Sequence, residues 1–173
     1  MTSDAVTTLS AALDQAGELL ASVSPADLDR PTPCEGWTVR ELGDHLAASP
    51  GRSLEMARGG SVDWGAASGI PQDRWATQFR ADAAALLAHW ESQDKVGGVD
   101  FTTAELAVHA WDLAQAVDPD RRLDDAVAER ALAAMRQGLT PENRAGVFAP
   151  EVPVADDASV HDRLAAWAGR TPR

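Results

Sequence analysis

The chain predicts an all-α fold: a four-helix bundle with an additional helix and an irregular C-terminal segment. Three observations carry this. Apolar residues recur at steps of three and four over four long stretches, the period of a helix with one buried face. Segments rich in glycine and proline separate those stretches, and such segments end helices. No stretch alternates apolar and polar residues for long enough to make a strand.

The first stretch, residues 5–23, sets Val6, Leu9, Leu13, Ala16, Leu20 and Val23 in a narrow seam, the pattern of bundle helices. Ser24-Pro25 ends it. In Asp29-Arg-Pro-Thr-Pro-Cys-Glu-Gly36 two prolines and a glycine keep the chain out of a helix. Thr38-Val-Arg-Glu41 is a capping box. The helix it opens runs to about Arg58, with Val39, Leu42 and Leu46 on one face and His45 beside that face.

Residues 59–71 form a glycine-rich loop that carries Trp64. A third helix, 72–92, holds Trp75, Phe79, Ala83, Leu86 and Trp90 in register, and a loop with Gly97-Gly98 follows. The fourth helix, 102–117, presents Leu106, Ala110, Leu113 and Val117 and stops at Asp118-Pro119. The fifth, 123–138, presents Val127, Ala131, Leu132 and Met135, with Gly138 and Pro141 closing it. Residues 140–158 read as irregular, and Ser159–Ala168 as a short final helix capped by Gly169.

The 173 residues are expected to form one domain spanning 1–173, with 45% hydrophobic and 24% charged residues, an ordinary globular composition. There is no run of 18 apolar residues, the least that a membrane span needs. The start, Met-Thr-Ser-Asp-Ala-Val, lacks the basic and apolar regions of a signal peptide. Cys34 is the single cysteine, which excludes an internal disulfide and agrees with a reducing, cytoplasmic setting. A net charge of −12 argues against nucleic acid and anionic membranes as partners. A monomer or a homodimer is expected.

The chemistry concentrates on the fourth helix. Glu105 and His109 stand four apart, one turn from each other on the same face, at the shoulder of the apolar stripe. His45 adds a second imidazole from another helix. Two imidazoles and a carboxylate form a set that catalytic zinc often uses, with a fourth position left for water or substrate. Nickel, iron or manganese accept the same ligands.

Each residue also has a plainer reading. Glu105 closes Thr102-Thr-Ala-Glu105, itself a capping box, and so could serve only a backbone N–H. His45 and His109 could be hydrogen-bonded core histidines. His89 and His161 read as surface residues. Cys34 lies just ahead of the helix bearing His45 and could come near the site, but a buried inert thiol is the simpler reading. Asp112 either accepts from a ligand imidazole or faces water. Trp37 and Trp111 pack in the core or line a cleft.

Pro33-Cys34-Glu-Gly-Trp37-Thr-Val-Arg-Glu-Leu42-Gly-Asp-His45-Leu46 resembles the hallmark segment of the DinB-like metal-binding proteins. Glu105-Leu-Ala-Val-His109-Ala-Trp-Asp112-Leu-Ala resembles the second hallmark of the mycothiol-dependent maleylpyruvate isomerase N-terminal domains within that family. The resemblance covers most of the chain, including the tail Val152-Pro-Val…Asp162-Arg-Leu…Gly169-Arg. It implies a four-helix bundle that holds a divalent metal through His45, Glu105 and His109. It also implies mycothiol or a similar small thiol as cosubstrate, with an electrophile as acceptor. The isomerase has a second, C-terminal domain that contributes to its active site. This chain is expected to lack it, so maleylpyruvate isomerisation is not carried over. Two functions stay open: a metal- and thiol-dependent transferase or isomerase, and a non-catalytic metal-binding or stress-associated module.

Overall fold

In the computed structural model, which describes residues 4–95, 97–144 and 148–172, the apolar periodicity resolves into seven α-helices. They are α1 (Asp4–Ser22), α2 (Val39–Ala57), α3 (Trp75–Glu91), α4 (Val99–Val117), α5 (Asp125–Gly138), α6 (Pro141–Arg144) and α7 (Val160–Trp167). Single 3₁₀ turns stand at Pro25–Asp27 and Gln72–Arg74. Among the described residues the sole β pairing is an isolated bridge between Pro31 and Thr38.

The four long helices each carry one apolar stripe and bury it together. α1 packs on α3 and α4, α2 packs on the same two, and α1 and α2 scarcely touch. The bundle therefore closes in the spatial order α1–α3–α2–α4. Leu9, Leu19, Leu42, Leu46, Leu86, Leu106 and Leu113 fill its centre with no exposed side-chain surface, each contributing about 1.5–3 kcal/mol of transfer free energy. α2 and α3 approach closely because Gly43 has no side chain: a Cβ there would lie 2.2 Å from Trp75.

α5 packs against α4 and α1, and α7 packs against α5 and α4. α4 thus meets neighbours on every side, and every residue from Leu106 to Ala114 is buried. That nine-residue run contains His109 and Asp112.

The boundaries differ from the sequence reading in three places. α4 begins at Val99, after Gly98 with φ +91°, so Thr102 is already inside the helix and does not open a capping box with Glu105. Its hydroxyl donates to the Gly98 carbonyl instead, which frees Glu105 for other contacts. Residues 72–74 form a 3₁₀ turn ahead of α3, which begins at Trp75. The 140–158 segment, expected to be irregular, contains the single turn α6.

Candidate metal centre

The fold brings α2 and α4 side by side and places His45, Glu105 and His109 at their contact. His45 Nε2 lies 2.5 Å and His109 Nε2 3.4 Å from the same Glu105 oxygen, Oε1. Ligand atoms of the three residues all fall within 4.8 Å of one another. His45 and His109 are buried, and Glu105 is nearly so, with 13% of its side chain exposed.

The other nitrogen of each imidazole is also engaged. His45 Nδ1 donates to the Trp64 carbonyl at 3.2 Å. His109 Nδ1 donates to Asp112 Oδ2 at 3.2 Å. A carbonyl and an ionised carboxylate only accept, so both Nδ1 atoms carry the proton. Each Nε2 then either bears a second proton, making an imidazolium, or turns a bare lone pair towards a carboxylate. A lone pair facing a carboxylate oxygen at these distances is repulsive unless a cation sits between them. The donor set of two imidazole nitrogens and one carboxylate oxygen is one that zinc and its neighbours accept. The residues therefore fit a divalent metal, and His45, Glu105 and His109 could hold it.

The electrostatics point the same way. Burial opposes the charge on Glu105, but His109 and the hydrogen bond from His45 outweigh it and hold the carboxyl down at about 2. Burial also opposes protonation of His109, yet Glu105 and Asp112 raise its pKa above the ordinary value. In the absence of an ion a protonated His109 is thus favoured beside the Glu105 carboxylate, where a cation would also be favoured.

Asp112 is fully buried, which settles the choice left open by the sequence: it faces His109, not water. Arg170 binds it with Nε on Oδ1 at 3.1 Å and Nη2 on Oδ2 at 2.8 Å. Against the cost of burial, the hydrogen bonds from His109 and Arg170 keep the Asp112 carboxyl below its usual range. Arg170 follows Gly169, whose φ of +81° ends α7 and turns the chain inward. A Cβ at Gly169 would lie 2.7 Å from Ala149, so only glycine fits this turn.

Cys34 comes closer than its place in a loop suggests. Thr32 N–H donates to the Trp37 carbonyl and Trp37 N–H to the Cys34 carbonyl, which folds 31–38 into a tight turn against the bundle. The thiol, a His109 nitrogen and an Asp112 oxygen lie within 4.8 Å of one another. Burial pushes the Cys34 thiol up to about 11. The same turn stacks Trp37 on His109, with ring centroids 5.8 Å apart, and tilts it against His45 at 4.8 Å. Trp37 therefore lines the site, whereas Trp111 is buried on α4.

Two histidines stay outside the cluster. His89 packs against Trp90. His161 bonds Asp125 at 3.0 Å, tying α7 to α5, and is half-buried where an exposed residue was expected. Arg170 and the Trp64 carbonyl went unseen in the sequence. An arginine placed directly after a helix-ending glycine was the one signal for the first. A main-chain oxygen of a loop offers no signal at all.

The mycothiol maleylpyruvate isomerase N-terminal domain family model matches residues 9–114, a span that takes in α2, α3, most of α1 and α4, and all three cluster residues. Two proteins from two strains of Mycobacterium tuberculosis, both described as uncharacterised, are each 32% identical over 174 residues. The match covers 94% of this chain and 95% of each of theirs. No solved structure gives a significant match.

Proposed function

The chain belongs to the mycothiol maleylpyruvate isomerase N-terminal domain family, which is DinB-like, and on that premise we propose that it is a metal-dependent enzyme acting on a low-molecular-weight thiol. The ion is divalent, zinc in the first instance, and His45, Glu105 and His109 hold it. The thiol is mycothiol or a close analogue, transferred to or rearranged with an electrophile.

One observation carries this reading. Two imidazoles, each with Nδ1 already committed to an acceptor, aim Nε2 at one buried carboxylate. When bound, a divalent metal supplies a Lewis-acidic positive centre that favours the anionic form of a thiol or water. The chain's own residues do the rest. Trp64 and Asp112 fix the tautomers of His45 and His109, Arg170 keeps Asp112 ionised, and Trp37 shields the imidazoles on one side.

Metal content of the purified protein tests the assignment. His45→Ala, Glu105→Ala and His109→Ala should each remove most of the bound ion, and His89→Ala and His161→Ala should not. If His89→Ala strips metal as fully as His45→Ala does, the site is misassigned. Thiol-dependent turnover of an electrophile should likewise vanish in Glu105→Ala.

The second reading, a non-catalytic metal-binding module, is favoured by the position of Cys34 beside His109 and Asp112. A thiolate completing the ligand set would close the site, as in structural zinc centres. Cobalt substitution separates the two readings. An intense thiolate-to-cobalt charge-transfer band that Cys34→Ser abolishes supports the module, and its absence supports the enzyme.

A further inference from the structure

The strongest contact left unexplained by the cluster itself is the grip of α2 on the loop that carries Trp64. Arg52 stands seven residues after His45, two turns along the same face of α2. Its guanidinium donates from Nη1 to the Trp64 carbonyl at 3.4 Å and from Nη2 to the Ala66 carbonyl. Among the described residues Arg52 makes no ion pair. Its charge is spent on two loop carbonyls on either side of Gly65. Asp44 holds the far end of the same segment, accepting from the Ser68 N–H and hydroxyl. Asp63 accepts from the Gly65 N–H, and the Trp64 ring meets Phe101 edge-on at 5.8 Å.

The loop oxygen that orients His45 is thus fixed from α2 itself. Without such an anchor, an exposed glycine-rich loop has few contacts to hold one carbonyl over one nitrogen. The planar guanidinium presents its N–H groups in a rigid fork that spans two carbonyls at once, so less freedom is lost per hydrogen bond than with a flexible ammonium.

We propose that Arg52 is a positioning residue for the metal centre: by clamping the Trp64 and Ala66 carbonyls it keeps His45 Nδ1–H on the Trp64 carbonyl and so holds the ring in the orientation that presents Nε2 to Glu105. This rests on the metal-site reading above, but it makes a claim about the metal-free protein that can be judged separately. The pattern matches the opposite side of the site, where Arg170 stands behind Asp112 and Asp112 behind His109. Each imidazole is held by an oxygen, and each oxygen by an arginine.

The test has two arms on the full chain. In the metal-free protein, solvent exchange of the His45 Nδ1 proton, read by ¹⁵N–¹H NMR, reports whether that proton is held on the Trp64 carbonyl. In competition titrations, zinc alone reports affinity. Arg52→Ala should speed that exchange and weaken zinc binding by about 10–100-fold, the usual effect of losing a group behind a metal ligand. Arg58→Ala, an exposed arginine further along the chain, should change neither. If Arg52→Ala fails to fold, Arg52→Gln, which keeps a shorter polar side chain without the guanidinium fork, takes its place. Unchanged exchange of the Nδ1 proton together with zinc affinity within about twofold of wild type, about 0.4 kcal/mol, overturns the proposal. If the wild type binds no zinc, the metal reading falls and the exchange arm alone decides the role of Arg52.

Discussion

Arg170 reaches both carboxylate oxygens of Asp112, at 3.1 and 2.8 Å, across 58 residues of chain. Both side chains are buried, with 8% and 0% of their surface exposed, and His109 shares the same carboxylate. The pair therefore ties α7 to α4 and fixes the carboxylate that faces His109.

Removing one partner strands the other. Asp112→Ala leaves a buried guanidinium unpaired, which costs about 3–5 kcal/mol. At roughly 2–4 °C per kcal/mol for a chain of this size, the melting temperature should fall by about 6–20 °C. The double variant Asp112→Asn with Arg170→Met should lose less than the sum of the two single variants, because the groups are coupled. Calorimetry on the four proteins closes the cycle, and simple additivity would mean that the pair does not act as a unit.

The apolar seams of the four long helices supply a core of their own, so the fold should outlast chelation of the proposed ion. Metal at a thousandfold excess over its dissociation constant adds about 4 kcal/mol, and its removal should lower the melting temperature by about 8–16 °C. Helical circular dichroism at room temperature should be unchanged. Collapse of that signal on chelation would show that the ion organises the bundle.

The chelated protein should have a defined pH window. His109 has a raised pKa in the folded state, so its contribution is full below the unfolded value of about 6.5 and is lost as pH rises through the folded value. Glu105, at about 2, and Asp112, also depressed, contribute fully above the unfolded Glu value of about 4.5 and lose that contribution as pH falls. Metal-free stability should therefore peak between about pH 4.5 and 6.5. Protons compete with a metal for imidazole nitrogen, so the gap between loaded and chelated melting temperatures should widen from about pH 5.5 to 7.5. A chelated protein equally stable across that range would contradict the raised His109 value.

Cys34 should be a poor nucleophile. With burial raising its thiol from about 9 to about 11, the thiolate fraction at neutral pH is lower by a factor of about 100 than for a free cysteine. Iodoacetamide should alkylate it at least about 100-fold more slowly than free cysteine, and Cys34→Ser should largely spare thiol-dependent turnover. Rapid alkylation would place the thiol in a more polar setting than its burial allows.

Much of this was legible in the sequence because helices repeat. The period that put Leu106, Ala110 and Leu113 on one stripe also put Glu105 and His109 at its shoulder and His45 beside Leu42 and Leu46. What periodicity cannot report is how many sides of a helix are covered. Asp112 looked as able to face water as protein, and only the packing of α5 and α7 on α4 decides the matter. Thr102-Thr-Ala-Glu105 fitted a capping box by composition, but α4 starts a turn earlier because Gly98 takes the left-handed conformation. Arg170 reaches the site through a glycine turn after α7, and Cys34 through the 31–38 turn. Local pattern only hints at either, through the glycine ahead of Arg170 and the nearness of Cys34 to the His45 helix, because both contacts are fixed by non-local packing.

The spacing of these contacts has a mechanical consequence. His45 meets Glu105 across 60 residues, and Asp112 meets Arg170 across 58. The chain therefore departs from one spot as two successive loops of nearly equal length, one closed on each side of Glu105–Asp112. Pulled from its ends, the protein would hold about 200 Å of contour in each loop, at roughly 3.3–3.6 Å per residue, until the clasp at its neck gave way. The site is where the chain is tied as well as where its chemistry is gathered.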